Sequence, residues 1–385
     1  MIEVNRARRL RLGMVGGGQG GFIGGVHRLA ARLDDEYELV AVAPSSNPER
    51  ARASGQDLRI APDRIYTDYR EMARAEAARE DGIDVVAIVV PNHLHFEVAK
   101  AFLEAGLHVL CDKPVTTNRA DAERLLALAR EKSCLFGLTH NYSGYPLIRA
   151  ARDMVASGAL GELRIVQVEY AQDWLAEPIE QSGHRQASWR TDPQLAGPAG
   201  CLGDIGSHAA HLAEFVTGVS PSEISAELAS LVPGRRVDDH VQIQLRYAGG
   251  ARGMLWASQV ACGEANGLRL RVYGSRGALR WQQERPDELW FTDLGQAARR
   301  LTRGMSALPQ SAADATRLPQ GHPEGFIEAF AQLYRDFALD VREHQPGPST
   351  QGPRVPGLAE GIRSLAFIEA ALKSNERNSA WVSLV

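Results

Sequence analysis

An acid and a histidine four residues apart stand in the second half of the chain. Asp204 and His208 belong to the segment GDIGSHAAH, and on a helix this spacing places both side chains on one face. A histidine, with an ordinary pKa of about 6.5, accepts a hydroxyl proton at neutral pH, and a nearby carboxylate orients it. The pattern predicts catalysis by His208 with Asp204 as its partner. Three alternatives stay open: Asp204 is a helix N-cap, His208 and His211 are core histidines, or all three bind a metal.

A lysine follows an apolar segment in the first third of the chain. Lys113 lies in the sequence CDKP, two residues after the predicted strand 107–111. Parallel α/β sheets bind ligands at the carboxyl ends of their strands, so Lys113 is expected at such an edge. Desolvation and nearby positive charge lower a lysine pKa from about 10.4 and make the ammonium a usable proton donor. The alternative is a solvated surface lysine, which the position after a strand disfavours.

A glycine-rich turn near the N-terminus joins a predicted strand to a predicted helix. Its G-x-G-x-x-G match falls on three glycines, Gly16, Gly18 and Gly21. Such glycines permit a tight turn and bring backbone N–H groups to a dinucleotide pyrophosphate at a helix N-terminus. Phe22 and Ile23, the first helical residues, are expected beside the cofactor. Gly24 and Gly25 are further candidates for close helix packing, and a merely flexible loop is the alternative.

The end of the second predicted strand bears on the choice of nicotinamide cofactor. Residues 43–47 read APSSN, without the acid that binds the ribose 2′-hydroxyl of NAD. Ser45, Ser46 and Arg50 are expected there. Hydroxyls with an arginine suit a 2′-phosphate, but the serines equally suit a 2′-hydroxyl. The predicted cofactor is therefore NAD or NADP, with NAD as the first choice.

Two further loops complete the predicted cofactor site. The third strand is followed by PNHLH and the fourth by CDKP. Pro91 shapes the first loop, and Asn92 can hydrogen-bond the cofactor. His95 either contacts the cofactor or is an ordinary residue of the next helix. Asp112 and Lys113 join this set because the carboxyl ends of parallel strands share one edge.

The order of the elements predicts an α/β protein. Strands and helices alternate over residues 10–138, which is typical of a parallel sheet covered on both faces. Longer alternating segments follow and predict a large open, mostly antiparallel sheet, interrupted by a helix. The remaining predictions are that helix at 205–217, a long loop at 294–321, helices at 323–343 and 358–373, and a loop at 345–357. We expect a dinucleotide-binding (Rossmann) domain, 1–142, and a substrate-binding and oligomerisation domain, 143–385, whose C-terminal helix packs back on the first.

Composition excludes several classes of protein. The 385 residues are 44% hydrophobic and 23% charged, which is ordinary for a globular chain and too apolar for a disordered one. The net charge of −4 gives no basic surface for nucleic acid or anionic membranes, so we predict neither partner. Four cysteines without C-x-x-C spacing predict no zinc site and favour a reducing compartment, the cytoplasm. No signal peptide or membrane span is predicted, and no metal.

Together the motifs resemble those of the glucose–fructose oxidoreductase / inositol dehydrogenase (Gfo/Idh/MocA) family. The resemblance runs from the glycine turn through PNHLH, the lysine–proline pair and GDIGSH to HPEGF at 322–326. It implies a Rossmann domain, an open-sheet domain, and oxidation or reduction of secondary hydroxyls of sugars and cyclitols with NAD(P). The family's E-K-P lysine falls on Lys113, with Asp112 in place of glutamate, and its D-x-x-x-H pair falls on Asp204 and His208.

The resemblance also implies substrate contacts and assembly. QDW at 172–174 and WR at 189–190 look like those of sugar-oxidising branches, which points to Gln172, Trp174 and Arg190. Core packing is the alternative role for each tryptophan. Asn141 and Tyr142, after the last strand of the first domain, are further substrate candidates. Lys113, Asp204 and His208 would also touch substrate. Family members commonly associate through the open sheet, so a homodimer or homotetramer is expected.

Several reactions fit this set of residues. The first hypothesis is a sugar or polyol dehydrogenase in which His208 takes the hydroxyl proton, Lys113 stabilises the alkoxide and Asp204 orients His208. The alternative is an NAD-dependent glycoside hydrolase that oxidises a ring hydroxyl, eliminates the aglycone, adds water and reduces again. Its substrate could be an anionic sugar held by arginines: Arg185, Arg190, Arg235, Arg236 and Arg303. A redox sensor and a metal-dependent isomerase are the remaining hypotheses.

Overall fold

The computed structural model describes residues 8–345 and 353–384, with the side chain of Arg185 left out. The described residues group into two compact units. The first is drawn from Met1–Thr116, Ala120–Thr139 and Phe330–Gly361. The second is drawn from Thr117–Arg119, His140–Ala329 and Ile362–Val385. Each unit therefore contains segments that are distant from one another in the sequence.

The first unit is built on a five-stranded parallel sheet. Its strands are β1 (Leu10–Gly16), β2 (Tyr37–Ala43), β3 (Val85–Val89), β4 (His108–Cys111) and β5 (Phe136–Leu138), in the order β2-β1-β3-β4-β5. The connecting helices are α1 (Phe22–Leu33), α2 (Pro48–Asp57), α3 (Tyr69–Ala78), α4 (His95–Glu104) and α5 (Arg119–Glu131). All five residues of β3 are buried, as expected of an unbroken valine and isoleucine run in a sheet covered on both faces. The strand order reverses beside β1, which places a switch point at the glycine turn.

The second unit is built on a nine-stranded sheet. Its strands are β6 (Leu163–Ala171), β7 (Glu223–Ala229), β8 (His240–Arg246), β9 (Arg252–Ser258), β10 (Gly267–Gly274), β11 (Gly277–Gln282), β12 (Glu288–Asp293), β13 (Arg299–Thr302) and β14 (Val382–Ser383). They run in the order β13-β12-β11-β10-β6-β9-β8-β7-β14, and only the pair β6–β9 is parallel among these described strands. The prediction of a mostly antiparallel second sheet, and with it the α/β fold class, is confirmed.

Helices cover one face of this second sheet. Two of them, α6 (Pro146–Ala156) and α9 (Ser207–Thr217), contact its strands. The other helices of the described residues after 140 are α7 (Arg185–Arg190), α8 (Pro193–Ala196), α10 (Gln310–Ala315), α11 (Phe326–Glu343) and α12 (Leu358–Glu376). Most of α11 belongs to the first unit. On the covered face, Val166 and Val168 of β6 are buried in the core. On the opposite face, Ile165 of β6 is 44% exposed and Met254 of β9 is 52% exposed. The sheet therefore has one packed face and one open face.

The segment Phe330–Gly361 belongs to the first unit and contributes to its core. The Tyr334 hydroxyl lies 2.8 Å from Nδ1 of the buried His27, and Tyr37 donates from its hydroxyl to the carbonyl of Tyr334 at 3.0 Å. The rings of Tyr37 and Tyr334 meet edge to face at 5.4 Å. A tyrosine from α11 thus joins α1 and β2 of the same unit.

Two sequence predictions of local structure need correction. The predicted loop at 294–321 contains β13 and α10, because β13 is a polar edge strand whose Arg300 pairs with Glu288 of β12. The helix predicted at 205–217 is preceded by a π-helical segment, Leu202–Gly206, and becomes α-helical only at Ser207. Most of the loop predicted at 345–357 lies outside the described residues. In the part of the chain that the structure describes, no helix is long and apolar enough to cross a membrane.

Candidate active site

The carboxylate of Asp204 is held by two donors in the second unit. Gln259 donates from Nε2 to Oδ2 at 2.9 Å, and the Arg190 guanidinium lies 3.3 Å from the same oxygen. Gln259 is 2% exposed and follows β9 by one residue. Its partner Asp204 keeps about a quarter of its side chain exposed. The acid is therefore fixed in direction while still open to a ligand.

The carboxylate of a different residue, Asp238, accepts hydrogen bonds at the start of the helical segment that carries Asp204 and His208. Asp238 accepts hydrogen bonds from the backbone N–H groups of Gly200 and Leu202, each at 2.7 Å. Burial raises the pKa of Asp238 to about 6, although both backbone donors favour the charged form. Since the carboxylate that accepts at this helix start is Asp238, the alternative that Asp204 serves as the N-cap is wrong.

His208 lies among aromatic rings of the second unit. Its ring centroid is 5.0 Å from that of Tyr142 and 5.8 Å from that of His140, both edge to face. His140 also stacks on His211 with centroids 3.9 Å apart. Within residues 8–345 and 353–384, no three histidine, cysteine, aspartate or glutamate side chains group as metal ligands. His211, through its stacking on His140, belongs to a packed cluster of rings.

Three of the predicted substrate residues meet in one hydrogen-bond network. Trp174 donates from its indole to Gln172 Oε1 at 3.0 Å, and Gln172 Nε2 lies 2.8 Å from Asn266 Oδ1. The Tyr170 hydroxyl lies 2.8 Å from the same oxygen of Asn266 and also contacts the Tyr142 hydroxyl. Asn141, the residue before Tyr142, is 2% exposed. The structure therefore brings Tyr142, Gln172 and Trp174 together and adds Tyr170 and Asn266.

The glycine turn of the first unit is shaped for close backbone approach. Gly16 has φ +83°, and a Cβ there would lie 2.5 Å from the carbonyl oxygen of Val89. A Cβ on Gly18 would lie 2.9 Å from the carbonyl oxygen of Pro44. Side chains would fill this turn at the N-terminus of α1, so these residues fit a dinucleotide pyrophosphate.

The glycine that brings α1 close to the turn is Gly24. A Cβ on Gly24 would lie 2.3 Å from Cα of Gly17, whereas a Cβ on Gly25 would meet nothing within 4 Å. Gly21 instead stands at the start of α1, where its N–H donates to the carbonyl of Gly18 at 3.1 Å. Phe22, next in the chain, is 72% exposed, and Ile23 follows it in the first turn of α1.

The end of β2 carries small polar groups. Ser45 accepts a hydrogen bond from the Asn47 N–H at 3.1 Å, and Asn47 in turn caps α2 by accepting from the Arg50 N–H at 3.0 Å. Ser46 and Arg50 are exposed. No carboxylate occurs between Ala43 and Pro48, so this end of the sheet leaves both NAD and NADP open.

His95 connects the ends of β3 and β4. Its Nδ1 lies 2.5 Å from the Pro114 carbonyl oxygen, and its Nε2 lies 2.9 Å from that of Val90. The ring is 1% exposed, and burial lowers its pKa. Both ring nitrogens face backbone carbonyls, so His95 joins the loops that follow β3 and β4, and its contact with the cofactor stays a prediction.

The same two loops hold the other predicted cofactor residues. Pro91 and Asn92 begin the short helical turn that follows β3. Asp112 accepts at Oδ1 from the Lys113 N–H and from the Thr139 hydroxyl, each at 2.9 Å. The loop that carries Lys113 is therefore tied to the end of β5.

The structure leaves little support for binding of an anionic sugar by arginines. Arg235 is buried between Asp239 at 3.0 Å and Glu180 at 3.1 Å. The buried Arg303 pairs with Asp287 and Glu324. These two candidates are wrong, because their charges are already neutralised inside the protein. Arg236 pairs with Asp192 and Arg190 with Asp204, while the side chain of Arg185 is not described.

Comparisons with known proteins agree with these features. Residues 10–140 match the family model described as an oxidoreductase family with an NAD-binding Rossmann fold, and residues 148–280 match the GFO/IDH/MocA C-terminal domain. A crystal structure of an inositol dehydrogenase homolog from Azotobacter vinelandii, complexed with NADH and myo-inositol, is 37% identical with a TM-score of 0.92, covering 98% of both chains. An oxidoreductase structure from Sinorhizobium meliloti is 47% identical with a TM-score of 0.88, covering 98% of this chain and 100% of that one. The levoglucosan dehydrogenase of Pseudarthrobacter phenanthrenivorans is 27% identical, covering 98% of both chains.

Proposed function

Since the chain belongs to the Gfo/Idh/MocA family of NAD(P)-binding oxidoreductases, we propose that it oxidises a secondary hydroxyl of a sugar, cyclitol or related polyol. The observation that carries this proposal is the fixed carboxylate of Asp204 one helical turn before His208. A carboxylate four residues before a histidine on a helix can orient the ring for deprotonation of a hydroxyl. NAD(P), when bound, accepts the hydride from the carbinol carbon.

In this proposal each residue has a separate task. His208 accepts the hydroxyl proton at a ring nitrogen. Asp204, held by Gln259 and Arg190, orients that ring and stabilises the imidazolium. Lys113, which falls on the lysine of the family motif, hydrogen-bonds the substrate oxygen and stabilises the developing alkoxide. Gly16 and Gly18 form the pyrophosphate turn, and Asn92 contributes a polar contact to the cofactor.

The proposal includes a cofactor and an assembly. NAD is the first choice, and use of NADP remains part of the test because β2 ends without an acid.

A homodimer or homotetramer is supported by the open face of the nine-stranded sheet. On that face Ile165 stands directly opposite Tyr273, which is 37% exposed, and Met254 lies on the next strand. Exposed apolar groups on an open sheet face favour burial against another copy of the chain.

The experiment is a screen for reduced nicotinamide. Purified protein is mixed with NAD or NADP and with myo-inositol, scyllo-inositol, levoglucosan, free sugars, sugar acids and aryl glycosides. We expect reduced cofactor to accumulate with at least one free cyclic polyol. Aglycone release that needs NAD without net reduction would instead establish a glycoside hydrolase.

Variants then test the assigned residues. Lys113→Ala and His208→Asn are each expected to lower turnover by roughly 100-fold to 10,000-fold, the usual contribution of a positioned proton-transfer group. The dissociation constant of reduced cofactor is expected to change little. Lys373→Ala, on an exposed position of α12, is the matched control. Near-normal turnover by Lys113→Ala would overturn the assignment.

A further inference from the structure

The helical turn that carries Asp204 is wider than an α-helical turn. The backbone N–H of Ser207 donates to the carbonyl of Leu202, five residues earlier. In an α-helix this N–H would bind the carbonyl of Gly203, four residues earlier. The Gly203 carbonyl instead accepts from the side-chain hydroxyl of Ser207 at 2.8 Å. At this carbonyl, a side-chain donor therefore takes the place of the backbone donor.

The carbonyl of Gly203 belongs to the peptide unit that leads into Asp204. Because a peptide unit is planar, this carbonyl and the N–H of Asp204 turn together. The N–H of Asp204 donates to the carbonyl of Gly200 at 2.9 Å. The peptide unit is therefore held on one side by a backbone acceptor and on the other by the Ser207 hydroxyl.

Both sides of the wide turn are fixed by contacts elsewhere in the second unit. Asp238 accepts, through its carboxylate and its own carbonyl, from three consecutive backbone N–H groups: those of Gly200, Cys201 and Leu202. On the other side of the turn, Leu212 of α9 is buried in the core. The peptide unit before the candidate catalytic acid lies between these two anchors, and its orientation depends on the hydroxyl contact.

The direction of the Asp204 carboxylate matters because its partners lie on other elements. Gln259 donates to Oδ2 at 2.9 Å from the end of β9, and the Arg190 guanidinium lies 3.3 Å from the same oxygen. Hydrogen bonds weaken steeply when their distance or angle departs from the preferred range. A rotation of the peptide unit before Asp204 would therefore weaken both contacts.

We propose that Ser207 is a positioning residue whose hydroxyl holds the peptide unit before Asp204 and so directs the Asp204 carboxylate toward its task beside His208. Ser207 is 2% exposed, and in this role it touches neither substrate nor cofactor. The inference rests on the proposed function, in which Asp204 orients His208. It adds a residue that acts on the reaction only through that acid.

The kinetic test compares Ser207→Ala with Ser207→Thr. Alanine removes the donor, whereas threonine keeps a hydroxyl that can reach a carbonyl three or four residues earlier in a helix. With the polyol of the screen that gives the highest kcat/KM, we expect Ser207→Ala to lower kcat roughly tenfold. The dissociation constant of reduced cofactor should stay unchanged, and Ser207→Thr should recover most of the lost rate.

A double-mutant cycle separates positioning from a general loss of stability. If Ser207 acts through the carboxylate of Asp204, the two effects are not independent. In an Asp204→Asn background, Ser207→Ala should therefore change kcat by less than about twofold. The full tenfold loss in that background would overturn the inference, as would a wild-type kcat for the single variant Ser207→Ala.

Thr217→Val is the matched control. Thr217 lies at the end of α9, is 7% exposed, and donates from its hydroxyl to the carbonyl of Ala213, four residues earlier, at 2.7 Å. Valine keeps the shape of threonine and removes the hydroxyl. The variant thus loses the same kind of contact from the same helix, away from Asp204, and should keep the wild-type kcat even if its melting temperature falls.

A crystal structure of the Ser207→Ala variant tests the inference without any turnover. We expect Oδ2 of Asp204 to lie beyond about 3.5 Å from Nε2 of Gln259, outside hydrogen-bond range, or the carboxylate to occupy more than one conformation. An unmoved carboxylate would reject the inference even if the protein oxidises polyols. If the carboxylate moves but no polyol in the screen reduces NAD or NADP, the proposed function fails, while the control of Asp204 by Ser207 is retained.

Discussion

Gln259 and Asp204 are joined by a hydrogen bond of 2.9 Å between side chains that are 55 residues apart in the sequence. The backbone of Gln259 is itself fixed, because its N–H donates to the carbonyl of Asp239 at 2.9 Å. The direction of the catalytic acid in the proposed mechanism is therefore set by the end of β9 as well as by its own helix.

Replacement of Gln259 by leucine tests this dependence. Gln259→Leu removes one of the two donors to Asp204, and a misdirected catalytic group commonly costs up to about 100-fold in rate. We expect kcat to fall by roughly 10-fold to 100-fold, with little change in the affinity for reduced cofactor. Steady-state kinetics over a range of pH should also show an altered profile. Gln244→Leu, at an exposed position of β8, controls for loss of a sheet glutamine.

Asp238 should give the second unit a measurable pH dependence of stability. Its pKa in the folded protein, about 6, lies above the ordinary value of 3.8. The stability that it contributes is therefore fully present below pH 3.8 and is lost as the pH rises through about 6. A difference of about two between these pKa values corresponds to roughly 3 kcal/mol.

The measurement compares Asp238→Asn with wild type. Because the amide does not titrate, the variant should lack the loss of unfolding free energy between about pH 4 and about pH 7. Denaturant unfolding at several pH values measures this change in unfolding free energy directly. Asp293→Asn, which changes a half-exposed carboxylate, should keep the wild-type slope. Parallel curves for wild type and Asp238→Asn would contradict the assignment.

Gly24 and Gly25 offer a paired test of the cofactor turn. Gly24→Ala places a methyl group 2.3 Å from Cα of Gly17, so we expect a loss of roughly 1–3 kcal/mol of stability and weaker binding of reduced cofactor. Gly25→Ala meets no atom within 4 Å in the same helix and should stabilise it by about 0.5–1 kcal/mol. Thermal unfolding and fluorescence titration with NADH measure both effects. Equal behaviour of the two variants would argue against close packing at Gly24.

Charged substitutions on the open face of the nine-stranded sheet are expected to prevent assembly of the protein into an oligomer. Ile165→Lys combined with Met254→Lys adds two charges to this face, and burying unpaired charge in an interface is costly. We expect light scattering to show an oligomer for wild type and a monomer for the double variant. Leu294→Lys, at a 78% exposed position just beyond β12, should leave the mass unchanged. A monomeric wild type would reject the proposed assembly.

Local patterns in the sequence predicted much of the fold. The apolar run at Val85–Val89 and the glycine turn at 16–21 are determined by residues that are adjacent in the sequence. Composition and spacing are therefore sufficient to predict the buried strand and the turn. Gln259 and Asn266 were not predicted, because single polar residues become meaningful only when distant strands bring them to their partners. The polar edge strand β13 was missed for a related reason: its residues lack apolar alternation.

Tyr334 has a consequence for dividing this protein into fragments. The first unit takes residues from Phe330–Gly361 into its core, where Tyr334 meets His27 and Tyr37. A fragment ending near residue 140 would leave these partners uncovered and should fold poorly by itself. A synthetic peptide spanning α11 should restore order when it is added in trans, so that fragment complementation, observed as recovered NADH binding, becomes possible at this boundary.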